Sequence, residues 1–89
     1  MRPQFTEDAW TEYTYWQTQD KKTLKKINAL IKDILRNGVA NGEGKPEPLS
    51  GNLSGCYSRR INDKDRLVYH QIKDEVIEIL SCRGHYEDR

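Results

Sequence analysis

The segment from Gly38 to Gly55 divides the chain into two parts with different hydrophobic patterns. It is rich in Gly, Pro, Asn and Ser and has no sustained hydrophobic repeat. Apolar residues recur at helical spacing before it, and short apolar runs separated by polar turns follow it. A run of helices followed by a run of strands is typical of an α+β domain. Because long ordered loops are more often functional than idle, we also expect residues 38–55 to form a functional loop.

Two helices are predicted before this loop, at about residues 6–37. Thr6 is a suitable N-cap for the first, which should end near Gln19. Asp20 can cap the second, and Asn37-Gly38 provides a stop signal at its C-terminus. The apolar positions are Ala9, Trp10, Tyr13 and Trp16 in the first helix and Leu24, Ile27, Ile31, Ile34 and Leu35 in the second. The tight connection at Asp20 predicts an antiparallel helical hairpin.

Three strands are predicted after the loop, at residues 56–61, 66–72 and 75–82. Polar turns separate them, so they should form an antiparallel meander that ends at about residue 83. A further strand from Met1 to Phe5 is a weaker prediction, because Pro3 is tolerated only at a strand's first residue or at an edge. The expected fold is therefore a helical hairpin packed on one face of a small antiparallel β-sheet.

The composition favours one small intracellular domain. The 89 residues carry a net charge of +1, so any affinity for nucleic acid must come from local patches. Cys56 and Cys82 show no CxxC pattern and have no histidine at metal-ligand spacing, so buried free thiols are expected and no metal site or cofactor is predicted. No apolar run approaches the roughly 20 residues of a membrane span, and no leader is visible. We expect a soluble, cytoplasmic protein.

Glu47 has an unusual setting between Pro46 and Pro48, with Lys45 two residues before it. Proline fixes its own φ near −65° and biases the preceding residue toward extended backbone. Glu47 should therefore point in a narrow range of directions. A general base needs such aim, whereas a solubilising surface glutamate does not.

Arg60 and Arg66 should be cross-strand neighbours if the first hairpin turns about Asp63. Like charges placed opposite each other destabilise a sheet, so an anion is expected to offset them. From spacing alone, that anion is either a nearby acid, such as Asp63 or Asp65, or a bound phosphate. Arg59 should lie on the opposite face from Arg60, and we expect it to matter less.

Ordered motifs at consistent spacing run through the chain. They are Ala9-Trp10, Tyr13 and Trp16; Lys25-Lys26-Ile27-Asn28; Leu30-Ile31-Lys32-Asp33; Gly44-Lys45-Pro46-Glu47-Pro48-Leu49; Arg66-Leu67-Val68-Tyr69; and Cys82-Arg83-Gly84-His85-Tyr86. From about Phe5 to Tyr86 the chain resembles the YoeB (Txe/YoeB) toxins, a branch of the RelE-like bacterial toxins. The resemblance implies a RelE-like, microbial-ribonuclease-like fold. It also implies a toxin that cleaves messenger RNA in the ribosomal A site until an antitoxin blocks it.

The resemblance also implies roles for particular residues. Arg66 matches the family's catalytic arginine, and the pair His85-Tyr86 belongs to the family's active site. With Glu47 as general base, the implied catalytic set is Glu47, Arg66, His85 and Tyr86, with Lys45 and Arg60 as phosphate contacts. His70 matches no family site and is expected to be structural. The implied reaction is a metal-independent transesterification by the ribose 2′-OH.

Lys21, Lys22, Lys25 and Lys26 cluster at the start of the second helix, where positive charge opposes the helix dipole. Two explanations remain open. The lysines bind a phosphate-rich partner such as ribosomal RNA, or they form a solvated helix face partly paired with Asp20 and Glu12.

The partners that the resemblance implies are a YefM-like antitoxin, the ribosome with its mRNA, and operator DNA only through the antitoxin complex. A homodimer is also implied. Two other functions remain open: a protein that blocks the A site by occupancy alone, and a catalytically silent member of a repressor complex. The chain differs from the family pattern in continuing past Tyr86 with Glu87-Asp88-Arg89. This extension places two acids next to the His85-Tyr86 pair in the sequence.

Overall fold

Two helices and five strands make up residues 1–85, the part of the chain that the computed structural model describes. In chain order they are β1 (Arg2–Phe5), α1 (Glu7–Gln19), α2 (Lys21–Asn37), β2 (Glu47–Pro48), β3 (Tyr57–Arg60), β4 (Arg66–Lys73) and β5 (Val76–Ser81), with a 3-10 turn at Gly51–Leu53 between β2 and β3. Neither helix has the length and apolarity needed to cross a membrane.

The helix boundaries follow the predicted capping residues. Thr6 accepts a hydrogen bond from the Ala9 N–H at 3.1 Å and so begins α1. The Asp20 carboxylate accepts from the Lys22 and Thr23 N–H groups at 3.1 and 3.3 Å and so begins α2. Gly38, at φ 90°, ends α2 by donating its N–H to the Ile34 carbonyl. The predicted helical hairpin is confirmed.

The sheet has the strand order β1-β5-β4-β3-β2. The predicted meander β3-β4-β5 is confirmed, with Arg60 paired to Arg66 across the first hairpin. The sheet is larger than predicted and is mixed, because β1 pairs with β5 in parallel. The two helices between β1 and the meander provide the long crossover that a parallel pair requires. The other edge strand, β2, has two residues, and the missing N–H of Pro48 suits an edge.

The main core lies between α2 and the face of the sheet that the helices cover. Large apolar side chains from both layers are almost completely buried there: Ile27, Leu30 and Ile34 from α2, and Leu67, Tyr69, Ile77 and Ile79 from the sheet. Leu49, Cys56 and Val68 form a second, smaller buried cluster. Val68 alternates with Leu67 and Tyr69, so this cluster lies on the opposite face of the sheet. That face is only partly apolar and carries the candidate site.

Both cysteines are free and buried, as predicted. Burial raises the pKa of the Cys56 thiol and, together with the nearby carboxylates of Glu12 and Asp65, raises the pKa of Cys82 to about 12. A thiol in such surroundings stays protonated at neutral pH, and its role is packing.

Candidate active site

Glu47, Arg60 and Arg66 lie on the same face of the sheet, away from the helices. Arg60 pairs with Arg66, and Glu47 pairs with Ser58, two residues before Arg60 on the same strand. Directly paired residues of an antiparallel ladder point to the same face, and so do residues two apart on one strand. Glu47 and Arg60 are exposed and Arg66 is partly buried. The three predicted side chains are thus accessible from one side.

Arg66 is oriented by backbone carbonyls. Its Nη1 donates to the carbonyl oxygens of Asn62 at 2.6 Å and of Asp65 at 3.1 Å. Within residues 1–85, no ion pair joins Arg60 or Arg66 to Asp63 or Asp65. The alternative that these acids neutralise the two arginines is therefore not what the structure shows, and the positive charge of both guanidinium groups is available to an anion.

His85 lies beside the start of β4. The Arg66 N–H donates to the Gly84 carbonyl at 3.0 Å, and the Gly84 N–H donates to the buried Asp65 carboxylate at 2.7 Å. The exposed His85 ring has Nε2 at 3.3 Å from the Asp63 carbonyl oxygen. These contacts hold the segment that carries His85 beside the start of β4, where Arg66 lies. Tyr86 and the Glu87-Asp88-Arg89 extension lie outside the described residues.

Helix α1 anchors the segment that leads to His85, a contact that the sequence did not reveal. Glu12 accepts the Cys82 N–H at 2.7 Å, and Trp16 Nε1 donates to the Cys82 carbonyl at 2.9 Å. The Arg83 guanidinium lies 3.7 Å from the centre of the Tyr15 ring. Nothing in the local pattern of α1 distinguishes Glu12 from a solvated acid.

His70 on β4 contacts the neighbouring strand, with Nε2 at 2.8 Å from Glu78 Oε1, a contact that fits the structural role expected for it.

Arg59 is the most distinctive residue that the sequence interpretation undervalued. Its side chain has no exposed area, and it lies under the loop that leads to Glu47. Its five N–H groups meet five acceptors: Nε the Tyr69 hydroxyl, Nη1 the Asp33 carboxylate and the Glu43 carbonyl, and Nη2 the carbonyls of Gly38 and Asn41. Arg59 lies on the opposite face of β3 from Arg60, as predicted. That face is the core side of the sheet, where the Arg59 side chain is completely buried. The expectation that Arg59 matters less is therefore revised.

Asp33 and Tyr69 extend this network to the loop. Asp33 Oδ2 also accepts the Glu43 N–H at 2.9 Å, and the Tyr69 hydroxyl donates to the Val39 carbonyl at 2.6 Å. The hydrogen bond from Glu43, followed by the one from Arg59, lowers the pKa of Asp33. Asp33 is therefore ionised at neutral pH and balances the buried charge of Arg59. Burial raises the pKa of Tyr69, which keeps its hydroxyl proton available for Val39.

Two glycines let the loop lie directly on this network. A Cβ on Gly42 would lie 1.9 Å from Asp33 Oδ2, and a Cβ on Gly44 would lie 2.9 Å from Leu30 Cδ2. Both glycines have positive φ, which L-residues with side chains rarely adopt. The Gly44 carbonyl then accepts the Arg60 N–H at 2.7 Å, immediately before Lys45 and Glu47. A residue with a side chain would be strained at either position and would force the neighbouring side chains or the loop to shift.

The four clustered lysines at the start of α2 are exposed, and two of them lie near the β3–β4 turn. Lys22 and Lys26 line a cavity of about 330 Å³ together with Thr23, Ile61 and Asn62. Asn62 is also the residue whose carbonyl binds Arg66. Lys22 and Lys26 therefore lie near the β3–β4 turn, whose Asn62 carbonyl also binds Arg66.

Comparison with known proteins identifies the family. Residues 5–86 match the sequence model of the YoeB-like toxin of bacterial type II toxin–antitoxin systems. The chain belongs to the YoeB-like toxin family. Toxin YoeB of Synechocystis is 54% identical over 87 residues, which cover 98% of this chain and 99% of that protein.

Solved YoeB structures share the fold. The YoeB/ParE toxin of Agrobacterium tumefaciens is 39% identical, with a TM-score of 0.92 over 97% of this chain and 100% of that one. Staphylococcus aureus YoeB, solved in a heterotetrameric YoeB–YefM complex and as a dimer, is 51% identical, with a TM-score of 0.89 over 97% of this chain and 98% of that one. The RelE-like architecture implied by the sequence is therefore confirmed, and the chain is a YoeB toxin of a type II toxin–antitoxin system.

Proposed function

We propose that this toxin is a ribosome-dependent endoribonuclease that inhibits translation by cleaving mRNA in the ribosomal A site. The observation that supports the proposal is that Glu47, Arg60 and Arg66 lie on one face of the sheet, while the segment that carries His85 is bound to the start of β4 through the Arg66 N–H. Glu47, Arg66 and His85 come from separate parts of the chain. Ribonuclease chemistry needs a base, an acid and stabilisation of phosphoryl charge, and these groups supply all three.

The proposed reaction is an attack by the ribose 2′-OH on the adjacent phosphorus. Glu47 removes the 2′-OH proton, the new oxygen–phosphorus bond forms, and the bond from phosphorus to the 5′-oxygen breaks. His85 donates a proton to the departing 5′-oxygen. Arg66, with Arg60 and Lys45, stabilises the charge on the phosphoryl oxygens, because an arginine donates two parallel hydrogen bonds and keeps its charge. Tyr86 is proposed to stack on a base or to orient the phosphate. No step requires a metal ion.

The ends of the product fragments test this chemistry. Attack by the 2′-OH leaves a 2′,3′-cyclic phosphate, or a 3′-phosphate after hydrolysis, and a free 5′-OH. A message with 2′-hydrogen at the scissile nucleotide should not be cut, since it has no nucleophile for Glu47 to activate. The assay uses ribosomes programmed with each message and maps the fragments. Fragments with 5′-phosphates, or cleavage of the 2′-deoxy message, would contradict the roles of Glu47 and His85.

Two other functions make different predictions in the same assay. A protein that acts by occupancy alone would stall the ribosome on an intact message. A silent member of a repressor complex would neither stall nor cut. Primer extension on a translated message separates all three, because only the endoribonuclease produces discrete cuts inside codons.

The lysine cluster is proposed to bind ribosomal RNA beside the site. Changing Lys21, Lys22, Lys25 and Lys26 to Gln should weaken pelleting with ribosomes and reduce the dependence of binding on salt, because fewer counterions are released. A control of equal net charge changes exposed cations elsewhere, namely Arg2, Lys32, Arg36 and Lys73, to Gln. Equal ribosome affinity of the two quadruple variants would show that these lysines form a solvated helix face.

An antitoxin and a second copy of the chain are the proposed protein partners. The YoeB–YefM complex and the YoeB dimer of Staphylococcus aureus support both, given 51% identity to this chain. We propose that a YefM-like antitoxin covers the basic surface around Arg60, Arg66 and His85 with an acidic segment that folds on binding. Operator DNA would be bound only through that complex. The proposed action on ribosomes places the protein in the cytoplasm.

A further inference from the structure

We propose that Arg59 is a positioning residue for the site, which holds the loop at residues 38–44 against the sheet and thereby fixes the place of Glu47. The proposal rests on the proposed function, in which Glu47 is the general base. Arg59 itself is completely buried and lies on the core side of the sheet, so it does not touch the RNA.

The contacts of Arg59 reach both ends of the loop. Nη2 binds the carbonyls of Gly38, where α2 ends, and Asn41 at 2.9 and 2.7 Å. Nη1 binds the Glu43 carbonyl at 3.0 Å, near the other end. The loop segment has no regular secondary structure of its own. Its backbone groups are therefore satisfied by these bonds, and by those of Asp33 and Tyr69, instead of by the hydrogen bonds of a helix or a strand.

The connection from this loop to Glu47 is short and stiff. The Gly44 carbonyl is bound to the Arg60 N–H, Lys45 has a φ of 54°, and Pro46 has a fixed φ. Glu47 then enters the sheet on β2 and pairs with Ser58. Ser58 lies on β3, the strand that also carries Arg59 and Arg60. A shift of the loop would therefore move Lys45 and Glu47 relative to Arg60 and Arg66. A misplacement of about 1 Å can cost on the order of 10²-fold in rate.

Arginine is the side chain that fits this role. Its planar guanidinium offers five N–H groups in a fixed fork, and all five are used. Lysine would keep the charge for Asp33 but has only three donors on one atom. An Arg59→Lys variant should therefore fold and keep the ion pair while leaving part of the loop unbound.

The test compares Tyr69→Phe and Arg59→Lys with a core control, Ile77→Val, which lies on β5 and has an apolar side chain that can make none of the hydrogen bonds of the loop network. Each is assayed well below its melting temperature. Amide hydrogen exchange measures the order of residues 38–44, and cleavage of message on ribosomes gives kcat and KM. We expect the two loop variants to exchange these amides at least tenfold faster and to lose roughly 10- to 100-fold in kcat. KM should change little, since Arg60 and Arg66 remain. The control should match the wild type in both measurements.

Each outcome decides between the proposals. Faster exchange with unchanged kcat would show that the network orders the loop without positioning Glu47, and would overturn the inference while leaving the proposed function intact. An equal loss of kcat in Ile77→Val would reduce the effect to general stability and overturn it as well. If the wild-type protein leaves the message uncut, the proposed function fails, and the positioning role fails with it.

Discussion

Glu47→Gln and Arg66→Ala are each expected to slow cleavage of ribosome-bound message by about 10²–10⁴-fold, the usual value of one general base or of one group that stabilises developing charge. Gln keeps the size of Glu but cannot accept the 2′-OH proton. Ala at position 66 removes the guanidinium that faces the site while leaving the backbone of β4 unchanged. The loss should fall mainly on kcat, because both interactions matter most in the transition state.

Stability should change little in these two variants. Glu47 is exposed, and Arg66 binds only neighbouring carbonyls through its side chain. Substitutions of this kind usually stay within roughly 0.5 kcal/mol, and the partly buried Arg66 is expected to lose more than Glu47. Glu7→Gln and Arg36→Ala are matched controls on exposed helix positions far along the chain from the site. Urea unfolding should give similar midpoints for all four variants. Wild-type cleavage by Glu47→Gln would remove the carboxylate from the mechanism.

The helical hairpin and the register of the first β-hairpin could be predicted because local interactions determine both. Asp20 caps α2 with its own side chain and closes α1 with its N–H. Asn62 Oδ1 accepts from the N–H groups of Lys64 and Asp65 at 2.8 Å, which forms the turn and brings Arg60 opposite Arg66. Each of these contacts joins residues two to four positions apart, so the sequence signal and the structural cause coincide.

The rest depended on contacts between distant parts of the chain. The pairing of β1 with β5 joins residues 2–5 to residues 76–79, and no local pattern specifies that partner. The same is true of Arg59, which is 26 positions from Asp33. Strand alternation correctly separated Arg59 from Arg60, but arginine is almost never completely buried unless it is paired. Its acceptors are mostly loop carbonyls, which carry no side-chain signature. The sequence therefore predicted the face of the sheet on which Arg59 lies, but it did not predict the buried hydrogen-bond network.

Arg59→Ala is expected to cause the largest loss of stability among the substitutions considered. It removes all five hydrogen bonds and leaves the Asp33 charge, the Tyr69 hydroxyl and three loop carbonyls without their partner. Breaking a buried pair by removing one member typically costs roughly 3–5 kcal/mol, and the partial exposure of Asp33 places this pair at the lower end of that range. A domain of this size has a total stability of roughly 4–13 kcal/mol, so the loss is a large share of it. Arg60→Ala, on the exposed face of the same strand, should stay within about 0.5 kcal/mol.

A double-mutant cycle with Asp33 shows whether the cost comes from the broken network. If Arg59→Ala is costly mainly because it strands the Asp33 carboxylate, Asp33→Asn in the same chain should recover part of the loss, since the uncompensated charge is then gone. The bonds from Arg59 to the loop carbonyls would remain absent, so recovery should be incomplete. Urea unfolding of the four proteins at pH 7 measures the coupling, and Arg59→Lys takes the place of Arg59→Ala if the latter does not fold. If the changes in unfolding free energy of the two single variants simply add in the double variant, Arg59 stabilises the loop independently of its charge. An Arg59→Ala variant as stable as Arg60→Ala would contradict the buried position of Arg59.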